Sequence, residues 1–256
     1  MYHKVGSPVR CKADRYINVR PADFARQVHI LGRLGFQGVT FAELIQGYRT
    51  GVGLPARPIC LTFDDAYQSV ADHVVPVLEA VGWKATVYVT TSYVGTENGW
   101  DRPLGKAMAP IMDWDTVRYL HNLKWEVGAH TRTHPHLEKV TDDSAWDEIA
   151  GSRSEIEAQI GEPPPTFCYP FGRYGTITPS LVEKAGYIGA CTTHKQWATV
   201  AHDPFRLPRL GISNGNLPGF VYRLFVRGRY SRDPARVPLQ APDYSRPRVK
   251  AGLRGS

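Results

Sequence analysis

Two adjacent aspartates are the first residues in this sequence with the chemistry of a metal site. Asp64 and Asp65 directly follow the apolar run PICLTF, which is typical of a buried strand. Because adjacent residues at a strand end point in different directions, one carboxylate can bind a metal ion while the other faces a substrate. The competing interpretation is that one aspartate only caps the helix that follows.

Three histidines follow a second apolar run, in the segment GAHTRTHPHL. His130 ends the predicted strand, and His134 and His136 lie in a polar turn that contains Pro135. Two imidazoles four residues apart, together with one carboxylate, are the usual ligand set of an open zinc site. His136 is the weakest candidate of the three, and its alternative role is packing.

A third segment, FCYPFGRYG, places an aromatic–proline–aromatic–glycine turn at the end of another predicted strand. Such a turn positions backbone N–H groups, which is what an oxyanion hole requires. Its competing interpretation is an ordinary connection from a strand to a helix.

These three segments must be brought together by a fold that alternates strands with helices. We predict strands at 2–5, 58–63, 85–90, 125–130, 166–170, 187–192 and 205–212. We predict helices at about 21–34, 67–81, 113–122, 142–160 and 178–185. A further helix is predicted to begin at the capping box of Thr40 and Glu43. The alternation predicts an α/β fold, a single distorted (β/α) barrel of about seven parallel strands with working residues at their carboxyl ends.

The composition favours a folded domain in a reducing compartment. Hydrophobic residues make up 42% of the 256 residues, which is enough for a sizeable core. The four cysteines are widely spaced and form no CxxC pair, so buried free thiols are predicted rather than a disulfide framework. Neither a signal-peptide pattern nor an apolar run long enough to span a membrane is visible, which predicts a cytoplasmic protein.

The positive charge is concentrated at the end of the sequence. Residues 220–256 hold nine basic and two acidic residues, which accounts for the formal net charge of +7. We therefore divide the chain into a barrel at 1–215 and a basic amphipathic helix with an irregular tail at 216–256.

The predicted tail helix suits contact with an anionic membrane, such as the inner face of the plasma membrane. Its apolar face is flanked by Arg223, Arg227 and Arg229. The alternative is a final helix that packs on the barrel. No nucleic-acid-binding motif is visible, so no nucleic-acid partner is expected.

Taken together, the three segments resemble the polysaccharide deacetylase family, also called the NodB-homology or carbohydrate esterase family 4 enzymes. TFDDA is similar to the first motif of the family, HTRTHP to the second and YPFG to a variant of the third, and the resemblance covers roughly residues 1–212. Members use a distorted (β/α) barrel and one divalent metal ion, usually zinc, to remove acetyl groups from N-acetylated sugars. Cobalt and nickel are alternatives.

The resemblance implies a role for each matching residue. Asp65, His130 and His134 would bind the metal ion, and Asp64 would be the general base. The backbone N–H of Phe171 would stabilise the oxyanion. Tyr169 and Trp197 are the candidate substrate-binding residues, with Trp197 as an apolar wall for the acetyl methyl group; a core position is its alternative.

The general acid is predicted on the first strand. Many family members take it from a histidine on a late strand, but here Ile212 is followed by Ser213. A subgroup that deacetylates poly-N-acetylglucosamine has a permuted motif order with a Tyr-His pair on its first strand, and MYHKV is similar to it. We therefore predict His3 as the acid. The alternatives are His194, His202 or a packing role for His3.

One departure from the family concerns the arginine that orients the base. Cys168 stands where the third motif usually carries this arginine, and Arg209 is our candidate substitute. An exposed arginine at a strand end is the competing interpretation.

The resemblance predicts a metal-dependent N-deacetylase of N-acetylglucosamine-type glycans. Its substrate would be a lipid-linked oligosaccharide or an exopolysaccharide precursor, for instance in holdfast production. One alternative is an amidohydrolase that acts on a small cyclic amide. The other is a catalytically silent glycan-binding protein.

Overall fold

A computed structural model describes residues 1–6, 17–213 and 217–222 of the chain, and a parallel sheet lies at its centre. The strands are β1 (Lys4–Val5), β2 (Asn18–Val19), β3 (Gln37–Val39), β4 (Pro58–Cys60), β5 (Thr62–Phe63), β6 (Thr86–Val89), β7 (Glu126–Ala129), β8 (Thr166–Cys168) and β9 (Gly189–Cys191). Strands β5 to β9 pair in chain order, each pair parallel, and the sheet curls into a half-barrel. The carboxyl ends of β5, β7 and β8 therefore lie at the same end of the sheet.

Helices alternate with these strands, as predicted. They are α1 (Pro21–Arg33), α2 (Phe41–Thr50), α3 (Gln68–His73), α4 (Val75–Glu79), α5 (Trp114–Asn122), α6 (Asp142–Ile160), α7 (Thr178–Lys184) and α8 (Leu217–Tyr222). The capping box that precedes α2 is confirmed, since the Thr40 hydroxyl accepts from Glu43 N and Glu43 Oε2 accepts from Thr40 N.

The predicted helix at 67–81 is instead two short helices, α3 and α4. Pro76 is the second residue of α4. Proline has no N–H to donate to the carbonyl one turn earlier, and its ring disfavours a helical preceding residue, so the helix is interrupted before it.

The predicted strand at 58–63 is likewise divided. Residues of β4 pair with β3, whereas β5 pairs with β6. This change of partner separates a two-stranded parallel pair from the five-stranded sheet.

The count of seven strands is not confirmed by the described residues. The segment 205–212 makes only an isolated bridge, from Leu207 to Cys191. Pro208 interrupts it, because proline cannot donate to a strand ladder. At the other edge Tyr2 bridges Phe63 in the parallel sense.

Residues 1–3 nevertheless link the two edges of the sheet. Tyr2 N donates to Thr62 O at 2.8 Å, and Asp64 N donates to Tyr2 O at 3.0 Å. On the other side Ile212 N donates to Met1 O at 2.9 Å. The backbone of His3 is thereby placed beside the carboxyl end of β5.

A small apolar cluster lies inside the half-barrel. Its members are Phe41, Ile45, Tyr88, Cys168, Cys191 and Leu207. The Tyr88 ring covers Gly128 so closely that a Cβ atom there would collide with it. Gly128 therefore makes room for Tyr88, whose ring lies 5.7 Å from the Arg209 guanidinium.

The basic C-terminal helix is not confirmed. Arg223, Arg227 and Arg229 lie outside the described residues, and the domain division after residue 215 stays a prediction. Phe220 on α8 is buried in the main core, and α8 contacts α1. Within the described parts of the chain, the helices are too short or too polar to cross a membrane.

Candidate active site

The two aspartates lie side by side after β5, and both are buried. Asp64 is 2% exposed and Asp65 is 5% exposed. Asp65 and Ala66 have left-handed backbone angles, with φ of 73° and 52°. Few non-glycine residues adopt this conformation, so the chain turns sharply here and separates the two carboxylates.

Asp64 is held by a bidentate ion pair with Arg209. Arg209 Nη1 donates to Asp64 Oδ1 and Nη2 donates to Oδ2, each at 2.7 Å. Burial alone would raise the pKa of Asp64, but the charge and hydrogen bonds of Arg209 outweigh it and lower the pKa to about 2. Asp64 is therefore a carboxylate at neutral pH.

Arg209 is itself fixed by further bonds. Its Nε donates to Thr192 O at 2.9 Å, Nη1 also to Thr62 Oγ1 at 3.0 Å, and Nη2 also to Cys168 Sγ at 3.1 Å. It is 6% exposed, so it is not the exposed strand-end arginine of the alternative interpretation. The structure thus pairs Arg209 with Asp64, the residue that the sequence analysis expected it to orient.

His130 follows β7 and its ring orientation is fixed by the sheet. Its Nδ1 lies 2.6 Å from Cys168 O. Since a carbonyl oxygen can only accept, Nδ1 carries the proton, and in a neutral ring Nε2 presents a lone pair. That Nε2 faces Asp65 Oδ1 at 3.4 Å.

His134 reaches the same carboxylate from the turn 131–134. Its Nε2 lies 3.4 Å from Asp65 Oδ1. The ring is enclosed by Trp100, which stacks on it at 4.7 Å, and by the edge-on ring of Phe171. Burial lowers the pKa of His134, although Asp65 opposes this change.

The residues Asp65, His130 and His134 fit a divalent metal ion. Their ligand atoms lie within 4.8 Å of one another, and all three side chains are buried. Asp65 Oδ1 has no hydrogen-bond partner although it is inaccessible to solvent. An acceptor oxygen that faces two imidazole nitrogens is the donor set of an N/O zinc site.

A second group, formed by Asp64, His130 and Cys168, fits a metal ion less well. The oxygens of Asp64 are already paired with Arg209. The Cys168 sulfur already accepts from Arg209 Nη2 at 3.1 Å, and burial raises the pKa of its thiol well above the ordinary value. The first group is the candidate metal centre.

His3 also lies close to Asp64. Its Nε2 is 3.9 Å from Asp64 Oδ2, and its side chain is 20% exposed. Burial lowers the pKa of His3, while Asp65 and Asp64 act in the opposite direction. Its neighbours and partial exposure match those of a group that exchanges a proton with a bound substrate.

The alternative acids have other surroundings. The side chain of His194 is exposed. His202 has both ring nitrogens engaged, Nδ1 with Thr199 N at 3.0 Å and Nε2 with Gln196 Nε2 at 2.8 Å. Of the three histidines considered for this role, His3 is the one that forms an ion-pair contact with Asp64.

The substrate-binding candidates receive little support from their contacts. Tyr169 is fully buried and its hydroxyl donates to Phe205 O at 2.9 Å, so its contacts are those of a core residue. Trp197 is half-buried and packs against the main core. His136 stacks on Phe171 at 4.1 Å and lies outside the metal group, which agrees with its packing alternative.

Phe171 takes a left-handed conformation with φ of 57° in the turn after β8. This conformation and its ring contact with His134 place the turn beside the metal group. The oxyanion role of its backbone N–H stays a prediction.

Trp100 was missed by the sequence analysis. It lies in a short 3-10 helix, Gly99–Leu104, in the connection that follows β6. The only available signal was its place after a parallel strand, where site residues are expected. A single tryptophan in a loop carries no spacing pattern that would have identified it.

The parallel half-barrel carries a buried aspartate–histidine group that could hold a metal ion, and sequence comparison specifies the family. A family model described as polysaccharide deacetylase matches residues 51–190. The chain belongs to this family, as its three motifs predicted.

Individual relatives agree with this assignment. The poly-beta-1,6-N-acetyl-D-glucosamine N-deacetylase of Escherichia coli K12 is 25% identical over 231 residues, covering 78% of this chain but 34% of that protein. The Streptococcus pyogenes deacetylase PplD, solved with acetate, superimposes with a TM-score of 0.74 at 22% identity, covering 87% of this chain and 94% of that one. IcaB from Ammonifex degensii superimposes with a TM-score of 0.68 at 19% identity, covering 86% of this chain and 91% of that one. These structural matches show a shared fold.

Proposed function

We propose that this protein is a metal-dependent N-deacetylase of N-acetylglucosamine polymers. The observation that carries the proposal is the division of labour between adjacent carboxylates. Asp65 Oδ1 faces two imidazoles without a hydrogen bond, while Asp64 is ionised by Arg209 and faces His3. The E. coli relative, whose name specifies poly-β-1,6-N-acetylglucosamine, supports the substrate class.

In this proposal Asp65, His130 and His134 hold one divalent cation, which we propose to be zinc from the mixed N/O ligand set. A cation held there would supply Lewis acidity toward an amide carbonyl oxygen and toward water. Cobalt and nickel accept the same ligands and are outcomes of the metal analysis.

Asp64 acts as general base in this proposal. Asp64 Oδ1 keeps a second lone pair beside its Arg209 bond, whereas Oδ2 also accepts from the Cys168 thiol at 3.5 Å, so the carboxylate can still take a proton from an attacking water. Arg209 orients the carboxylate and keeps it ionised.

His3 acts as general acid. An amine leaves poorly unless it is protonated, and His3 lies beside Asp64 with part of its ring open to solvent. The Phe171 turn, which contacts His134, would stabilise the oxyanion with its backbone N–H.

Finer features of the proposal rest on the sequence. A lipid-linked or exopolysaccharide precursor as substrate and contact with an anionic membrane are proposed from the basic composition of residues 216–256. Vesicle binding by the full chain and by a chain shortened after residue 222 tests the membrane contact. Equal binding of anionic vesicles by both would contradict it.

The experiment that tests the activity is acetate release by the zinc-loaded full chain. The substrates are β-1,6- and β-1,4-linked N-acetylglucosamine oligomers, with hydantoin as a cyclic amide. Acetate from the oligomers is the expected result. Opening of the cyclic amide without acetate release would favour the amidohydrolase, and oligomer binding without turnover would favour a silent glycan-binding protein.

A further inference from the structure

The position of His134 depends on a turn rather than on a strand. Asp65 and His130 follow closely after β5 and β7, whereas His134 comes at the end of the turn 131–134. Thr131 and His134 have φ of 67° and 60°. Because this left-handed conformation is unfavourable for residues with a Cβ atom, the turn needs contacts that hold it in this shape.

Glu148 on α6 supplies three such contacts. Its Oε2 accepts from the backbone N–H groups of Arg132 and Thr133 at 2.8 and 2.9 Å. Its Oε1 accepts from the Thr133 hydroxyl at 2.5 Å. One carboxylate therefore binds both residues in the middle of the turn, and it does so mainly through their backbone.

The neighbouring acidic residues on α6 contact the turn differently. Asp147 Oδ2 accepts from Arg132 Nη1 at 2.7 Å, and Glu155 Oε1 accepts from Arg132 Nε at 2.8 Å. Within the turn both contact only the side chain of Arg132 and would tolerate a change in its backbone, while Glu155 Oε2 also accepts from the Thr91 hydroxyl. Asp147 is also exposed, with 66% of its side chain accessible to solvent.

Other bonds fix the start of the turn. Thr91 N donates to Thr131 O at 3.2 Å, and Ser92 N donates to Arg132 O at 3.0 Å. These hold the carbonyl side of the turn to the end of β6. Glu148 binds the N–H side, which leads directly to His134.

We propose that Glu148 is a positioning residue for the metal centre. By fixing the N–H groups of Arg132 and Thr133, it places His134 Nε2 opposite Asp65 Oδ1 before a cation arrives. The inference rests on the metal site of the proposed function and adds to it a residue that touches neither metal nor substrate. Such outer partners of metal ligands commonly change metal affinity by 10–100-fold.

The test is zinc affinity, measured by competition with a chromophoric chelator, for the full chain and three variants. Glu148→Ala removes all three bonds and is expected to weaken zinc binding by roughly 10–100-fold. Glu148→Gln keeps one oxygen for the two N–H groups but loses the charge, and about threefold to tenfold weaker binding is expected. Asp147→Ala, the matched control, removes a neighbouring carboxylate and should leave the affinity unchanged.

Thermal unfolding separates positioning from a general loss of stability. If Glu148 positions His134, the two Glu148 variants unfold near the wild-type temperature without zinc. When zinc is added, their unfolding temperature rises less than that of the wild type. A residue that only stabilises the fold would lower both unfolding temperatures equally, and this result would overturn the proposal.

The remaining outcomes are also decisive. Wild-type affinity in both Glu148 variants, or an equal loss in Asp147→Ala, would overturn the role of Glu148. If Glu148→Ala does not fold, Glu148→Gln decides, and wild-type affinity in that variant would contradict the proposal. No zinc binding by the wild type would instead refute the metal site itself, whatever the variants do.

Discussion

The two adjacent aspartates of the site have opposite partners, an arginine for Asp64 and two histidines for Asp65. Asp64 and Asp65 are both buried and follow the same strand. The carboxylate of Asp64 is fully paired with a fixed cation of the protein, Arg209. Asp65 Oδ1 has no hydrogen bond and faces two imidazoles.

This difference shows how one sequence motif yields two electrostatic environments. A buried carboxylate needs a compensating positive charge. Where the protein supplies it permanently, the carboxylate is ionised and can accept a proton. Where it supplies only neutral nitrogen ligands, the remaining charge must come from a bound cation or from protons on the histidines.

Replacing the Asp64 carboxylate should have the largest effect on catalysis. Asp64→Asn keeps the shape of the side chain but removes the base, so acetate release should fall by roughly 10³-fold, within the range for general-base catalysis. The measurement is the initial rate on N-acetylglucosamine oligomers. A loss smaller than about tenfold would remove Asp64 from the role of base.

Removing Arg209 should mainly affect stability, in a pH-dependent way. Arg209→Met leaves a buried carboxylate unpaired, which is expected to cost roughly 3–5 kcal/mol at neutral pH. Because Arg209 lowers the pKa of Asp64 from 3.8 to about 2, this stabilisation is present above about pH 4 and is lost as the pH falls toward 2.

Urea unfolding of wild type and Arg209→Met between pH 7 and pH 3 measures this dependence. The difference in the free energy of unfolding should shrink as the pH falls. A difference that stays constant over this range would mean that the ion pair with Asp64 is not its cause.

The general acid should contribute less than the base. His3→Gln is expected to lower acetate release by about 100-fold, the lower end of the range for proton transfer. His194→Gln and His202→Gln serve as controls and should keep their activity. If His202→Gln or His194→Gln were the inactive variant, the acid would have to be reassigned.

Cys168 should contribute least. Its sulfur lies 3.5 Å from Asp64 Oδ2 and 3.1 Å from Arg209 Nη2, yet the two charged bonds between Asp64 and Arg209 do not need it. We therefore expect Cys168→Ala to change kcat/KM by less than about threefold, since thiols form weak hydrogen bonds. A loss near that of Asp64→Asn would show that the thiol helps to orient the base.

The sequence predicted most of the site because its residues lie at strand ends. Asp64, Asp65 and His130 each follow an apolar run, and their order along the chain matches the order of parallel strands. The prediction that His3 is the acid required the resemblance to a permuted subgroup, because the contact of His3 with Asp64 joins segments that are distant in the chain.

Other features were beyond the reach of sequence patterns. The pairing of Arg209 with Asp64 joins residues 145 positions apart, and the contacts of Glu148 depend on how α6 packs beside the turn. The strand predicted at 205–212 was wrong in its extent because an apolar run that contains Pro208 can cross a sheet edge without forming a ladder.

The most direct test of the account is the zinc content of the wild type, His134→Ala and Asp64→Asn by elemental mass spectrometry. We expect about one zinc ion per chain in the wild type and in Asp64→Asn, and none in His134→Ala, since three protein ligands hold a catalytic zinc ion. Loss of zinc in Asp64→Asn, or its retention in His134→Ala, would contradict the division of roles between the two aspartates.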